Sequence, residues 1–61
     1  MTDSQMRAGA KYLGERAFKA GKPRTPALDP AVLVMIRQNN GSGIVILKYW
    51  CKGWDSAKNS D

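Results

Sequence analysis

The chain has no histidine, one cysteine, five acidic residues, and no apolar run longer than AVLVMI, from Ala31 to Ile36. Each shortage closes a class of function. With no histidine and Cys51 alone, a Cys/His zinc site and an internal disulfide are both excluded. The carboxylates Asp3, Glu15, Asp29, Asp55 and Asp61 are scattered, so no acid/base pair is visible. There is no imidazole to act as a general base, and the glycines follow no phosphate-loop pattern. Cys51 has Lys48 and Lys52 near it in sequence, but a lone cysteine at the edge of an apolar face reads as a small hydrophobe and not as a nucleophile. No catalytic residue, metal or cofactor is expected, and the chain reads as a binding protein and not as an enzyme. The apolar run falls far short of the roughly 18 residues that span a bilayer, and the N-terminal stretch has no apolar signal region. With one unpaired cysteine, the expected setting is cytoplasmic, with no membrane partner.

What the chain has in excess is positive charge. Ten Lys and Arg stand against five Asp and Glu, a net charge of +5. The excess is uneven: residues 1–26 carry +4 and residues 27–61 carry +1. A basic half of this kind favours an acidic partner, nucleic acid above all.

A helix is expected over residues 4–21. Thr2 and Gln5 match a capping box, with Asp3 and Ser4 as alternative caps, and Gly21 followed by Pro23 is a stop signal. At helical spacing Met6, Ala10, Leu13, Ala17 and Ala20 form one narrow apolar stripe, mostly alanine. Arg7, Lys11, Glu15, Lys19 and Lys22 fall on the opposite side, and only Glu15 interrupts the positive charge. Residues 22–30 form a linker stiffened by Pro23, Pro26 and Pro30, with Lys22 and Arg24 extending the basic character.

Asp29-Pro30 is a helix start, with Asp as N-cap and Pro at the first helical position, so residues 31–38 read as a short helix. The alternative is a hairpin turning at Asn40-Gly41 between two β-branched runs. Periodicity does not arbitrate a run this short; the Asp-Pro cap is the more specific signal and favours the helix. Residues 44–58 read as an amphipathic helix capped by Ser42. Ile46, Leu47, Trp50, Gly53, Trp54 and Ala57 share one side, and Lys48, Lys52, Asp55 and Ser56 the other, with Val45 and Tyr49 on the polar side.

Trp50 and Trp54 admit two readings. Exposed, they are stacking platforms for unpaired bases; buried, they are the largest core groups the chain possesses. Their shared face must be covered, and an alanine stripe facing large rings is complementary in shape. The core reading is preferred, with Leu13, Ala17, Trp50, Gly53, Trp54 and Ala57 as its members and Gly53 admitting a close neighbour. Gly14, near the stripe edge, is expected to pack against a bulky ring. Tyr12 and Phe18 flank the basic face and read equally as core or contact.

Two blocks carry a resemblance. Arg16, Ala17, Phe18, Lys19, Ala20 and Gly21 match a pattern of Arg, a small residue, an aromatic, any residue, then Ala-Gly; Trp50, Gly53, Trp54 and Ala57 match Trp, two residues, Gly-Trp, two residues, Ala. In order and chemistry these resemble the two blocks of the ribosome modulation factor family, phage- and plasmid-borne members included. The family linker carries Pro followed by an aromatic, whereas here Pro26 lies between Thr25 and Ala27, and the span to Trp50 is longer. The resemblance implies two packed helices joined by a linker, and a partner in ribosomal RNA of the small subunit near the messenger path, with translation as the regulated process.

The expectation is therefore a single mostly α domain over residues 1–61. Two antiparallel helices are joined by a Pro-rich linker, with a short third helix or a hairpin between them. Arg7, Lys11, Arg16, Lys19, Lys22, Arg24 and Lys52 are the expected phosphate contacts, with Arg16 and Arg24 orienting because guanidinium binds phosphate bidentately. The rival is a phage- or plasmid-borne module that binds and inhibits a host protein. The apolar middle segment is a candidate homodimer contact.

Overall fold

The structure, a computed structural model, describes residues 3–39 and 41–60. It is mostly helical: α1 spans Asp3–Lys19, α2 Pro30–Gln38 and α3 Gly43–Ser60, with a 3-10 turn over Pro26–Leu28. No strand is present among the described residues, so the middle segment is a helix and not a hairpin. No helix among them is long and apolar enough to cross a membrane. The capping-box residue Thr2 and the turn residue Asn40 lie outside the described residues.

The helix boundaries follow from local chemistry. α1 ends in a Schellman motif: Gly21 takes φ +77°, its N–H donates to the Phe18 carbonyl at 3.0 Å, and the Lys22 N–H donates to the Ala17 carbonyl at 2.8 Å. Within the linker Pro26 opens the 3-10 turn, where its fixed φ is already suitable. Asp29 then caps α2, accepting from Ala31 N at 3.0 Å with Pro30 behind it. At the start of α3 the Ser42 carbonyl accepts from Ile46 N at 3.0 Å.

α1 and α3 make most of the tertiary contact. Met6, Ala10 and Ala17 from α1, Val32 from α2, and Ile46, Trp50 and Ala57 from α3 are buried. Leu13 and Trp54, expected in the core, are half-buried and pack against it, as do Val45 and Tyr49, which the helical wheel assigns to the polar side. Ala20 is exposed, because α1 closes at Lys19 and the chain turns away there. Gly14 and Gly53 are buried at the centre of the crossing. A Cβ on Gly14 would lie on the Trp50 carbonyl and 2.9 Å from Trp54 N; a Cβ on Gly53 would lie on the Lys11 carbonyl. The close neighbour of each glycine is thus the other helix's backbone, and not the bulky ring expected for Gly14.

The two long helices run in the same sense, which corrects the antiparallel expectation. Arg7 reaches Tyr49, Lys11 meets Gly53, and Phe18 meets Trp54, so contacts advance together along both helices. α2 runs the other way: Asp29 meets Trp50 at its start, whereas Ile36 lies against Gly43 and Met35 against Gly9 at its end. The physical reason is the middle helix. It carries the chain back along the bundle, so α3 starts again from the end where α1 began.

Candidate nucleic-acid interface

All seven expected phosphate contacts are exposed: Arg7, Lys11, Arg16, Lys19, Lys22, Arg24 and Lys52. The fold draws several of them together. Tyr49, half-buried on α3, has Arg7 of α1 at 5.6 Å from its ring centroid and Lys52 of its own helix at 4.9 Å. Both distances are within cation–π range, so one ring is approached by charges from two different helices. The backbone of Lys11 passes close by, its carbonyl packed against Gly53, the residue after Lys52. Sequence reasoning missed Tyr49; its signal was the i, i+3 spacing to Lys52 on one helix face.

A second group lies at the other end of α1. Arg16 stands 5.8 Å from the ring of Tyr12, which is 58% exposed and so is a surface residue. Arg16 and Lys22 flank a cleft of about 440 Å³ between the end of α1 and the start of α2. Lys19 projects from the last turn of α1.

Arg24 departs from its expected role. Its Nε donates to Asp55 Oδ1 and its Nη2 to Asp55 Oδ2, both at 2.9 Å. The paired donors proposed for a phosphate are thus bound to a carboxylate, and the linker is clasped onto α3. Hydrogen bonding from Arg24 is the main cause that holds the Asp55 carboxyl below its ordinary range; desolvation opposes it, and the charges of Arg24 and Lys58 reinforce it. Because the folded-state value is lowered, the clasp's contribution is present above the ordinary aspartate range and is lost as pH falls through the lowered value. Both side chains are about half exposed, so salt screens the pair and its share of stability is small. An NMR titration is expected to show Asp55 protonating below the ordinary aspartate range, and to return it to that range in Arg24→Ala. An unchanged Asp55 midpoint in that variant would contradict the clasp.

The tryptophans occupy distinct places. Trp50 is 1% exposed, and its indole Nε1–H donates to Asp29 Oδ2 at 2.9 Å. Trp54 is half-buried; its Nε1–H donates to the Lys22 carbonyl at 3.0 Å, Phe18 meets it edge-to-face at 5.2 Å and 87°, and Lys58 stands 5.6 Å from its ring. Neither ring is an open stacking platform. Both are fasteners that tie the Pro-rich linker to α3, and Phe18 belongs to that packing. Cys51 is half-buried against the core.

Two carboxylates are engaged in a way the sequence does not show. Asp29 holds a helix cap and a tryptophan, and Asp55 holds Arg24. Each is thus partnered by another group of the fold, while Lys11, Arg16, Lys19, Lys22 and Lys52 are exposed at the surface. Compared with known proteins, the chain matches no family model, no curated protein and no solved structure.

Proposed function

We infer that the protein is a non-catalytic RNA-binding protein whose partner is ribosomal RNA of the small subunit and whose effect is on translation. The observation that carries this reading is the asymmetry of charge: Lys11, Arg16, Lys19, Lys22 and Lys52 are exposed on α1, the linker and α3, while Asp29 is bonded to Trp50 and Asp55 to Arg24. Such a surface meets a phosphate backbone with little competing negative charge, and phosphate contacts supply most of a sequence-independent affinity. The choice of ribosomal RNA rests on the two blocks that resemble the ribosome modulation factor family, Arg16 to Gly21 and Trp50 to Ala57.

Affinity for a labelled RNA is expected to fall steeply as salt is raised, and the slope of log K against log salt is expected to shrink by roughly one for each of Lys11→Ala, Lys19→Ala and Lys22→Ala. A flat salt response would remove this reading. Co-sedimentation of a tagged chain with ribosomal particles tests the identity of the RNA.

A second reading rests on a different surface. Leu33 and Val34 of α2 are 45% and 49% exposed, with Leu28 at 70% and Ile44 at 83% on either flank. These residues would serve a module that docks on a host protein, or a homodimer. Binding through them would depend weakly on salt, and the charge-neutral Val34→Asn would weaken it without touching RNA affinity.

A further inference from the structure

The basic surface described above explains attraction to any phosphate chain, but not the cleft beside it. That cleft lies between the C-terminal half of α1 and the turn leading into α2, and it opens to solvent. Leu13, Leu28 and Trp50 are among its apolar walls, Arg16 and Lys22 bring positive charge to it, and Asp29 is part of its lining. Its volume, about 440 Å³, falls in the range of about 300–1,000 Å³ typical of small-ligand sites.

We propose that this cleft receives one unpaired nucleotide of the bound RNA, its base against the apolar walls and its phosphate at Arg16 and Lys22. The proposal rests on the RNA-binding reading and sharpens it, because it makes single strands and loops the preferred substrate over duplex. Three features combine. The walls are apolar, which suits the faces of a base and repels a bare ion. The two cations, Arg16 and Lys22, are exposed, which suits a phosphate and disfavours a purely apolar occupant. Asp29 supplies the polar group for a base edge: one oxygen accepts from Ala31 N and the other from Trp50 Nε1, and a carboxylate oxygen has room for a second bond. An exocyclic amine or ring N–H is the matching donor. Unpaired bases with accessible edges are what sequence-specific RNA recognition generally uses.

The test keeps the charge constant and fills the cleft. Ala31 and Ala20 both line it, both are exposed, and neither belongs to the buried core. Ala31→Leu and Ala20→Leu, each confirmed as folded by circular dichroism, are expected to lose at least tenfold in affinity for a single-stranded decanucleotide while duplex affinity and the salt slope stay as in the parent. Titration with cytidine 5′-monophosphate is expected to shift the Trp50 indole N–H resonance, and ribose 5-phosphate at equal concentration is expected to shift it far less. If the filled variants bind single strands as the parent does, the cleft is not the site and the RNA reading survives. If both small probes act alike, the site is one for an anion and the proposal fails. If the parent shows no salt-dependent binding to any RNA, both readings fail together. A Trp50 indole shift that depends on protein concentration alone places a second copy in the cleft and overturns the proposal.

Discussion

Gly14→Ala is expected to remove most of the stability of the fold, about 3 kcal/mol or more, read as a loss of urea midpoint or of the melting transition. Inserting a methyl group into a packed interior ordinarily costs about 1–3 kcal/mol, because side chains shift to make room. Here no side chain is available to shift. The added Cβ falls on the Trp50 carbonyl and within 2.9 Å of Trp54 N, so relief requires the helices to separate along their whole contact. A chain of this size has a total stability of only about 3–9 kcal/mol. Gly53→Ala is expected to behave alike, because its Cβ falls on the Lys11 carbonyl and lies 2.7 Å from Lys11 C. The two glycines form one crossing, so the double variant should cost less than the sum of the singles once the helices have moved apart. Gly9→Ala is the control: its Cβ meets only the flexible end of Met35 at 3.2 Å, and the gain in helix propensity of about 1 kcal/mol offsets that crowding. A Gly14→Ala protein as stable as the Gly9→Ala protein would contradict the close crossing.

That crossing shows which parts of the fold are written locally. Asp29-Pro30 and Gly21 act within a few residues of their own position, so their caps are readable from the chain and appear in the structure. The buried positions of α3, Ile46, Trp50, Gly53 and Ala57, follow helical spacing and are readable for the same reason. Periodicity gives the face of a helix but not its direction. The parallel arrangement of α1 and α3 depends on α2 carrying the chain back, and a middle segment that reads as helix or hairpin leaves that open. The role of Gly14 needed knowledge of where the facing backbone passes, so its sequence position near the stripe yields only the need for space. Arg24 is the plainest case: its partner Asp55 is 31 residues away, and no local pattern announces the pair. Candidate contacts on α1 were legible because they needed only a helix face; the cleft was not, because its walls come from three separate segments.

Trp50 is where those segments meet, and its truncation is the other large expected effect. Trp50→Ala is expected to cost about 3–5 kcal/mol, the usual range for deleting a large buried aromatic, and so to leave the chain largely unfolded at ambient temperature. The ring is 1% exposed, and it packs with Ile46, Val32 and Ala17 in the one core the described residues form. Area alone does not account for it, because the indole N–H also holds Asp29 at the start of α2. Asp29→Ala removes that acceptor together with the helix cap. Loss of the cap costs about 1 kcal/mol, and an indole donor left without a partner about 1–3 kcal/mol more. Trp50→Phe abolishes the donor and keeps an aromatic ring, and the ring volume it loses cancels in a double-mutant cycle with Asp29. Placed on the Trp50→Phe background, Asp29→Ala should then cost the cap alone, and the coupling energy between the two positions should come to at least about 1 kcal/mol by urea unfolding. Trp54→Ala is expected to be milder in stability, since that ring is half-buried, but to free Lys22 and the linker from α3. If Asp29→Ala costs as much on the Trp50→Phe background as in the parent, the indole bond contributes nothing. The linker would then be held to α3 by Trp54 and the Arg24–Asp55 clasp alone, and the wall of the cleft at Asp29 would be free to move.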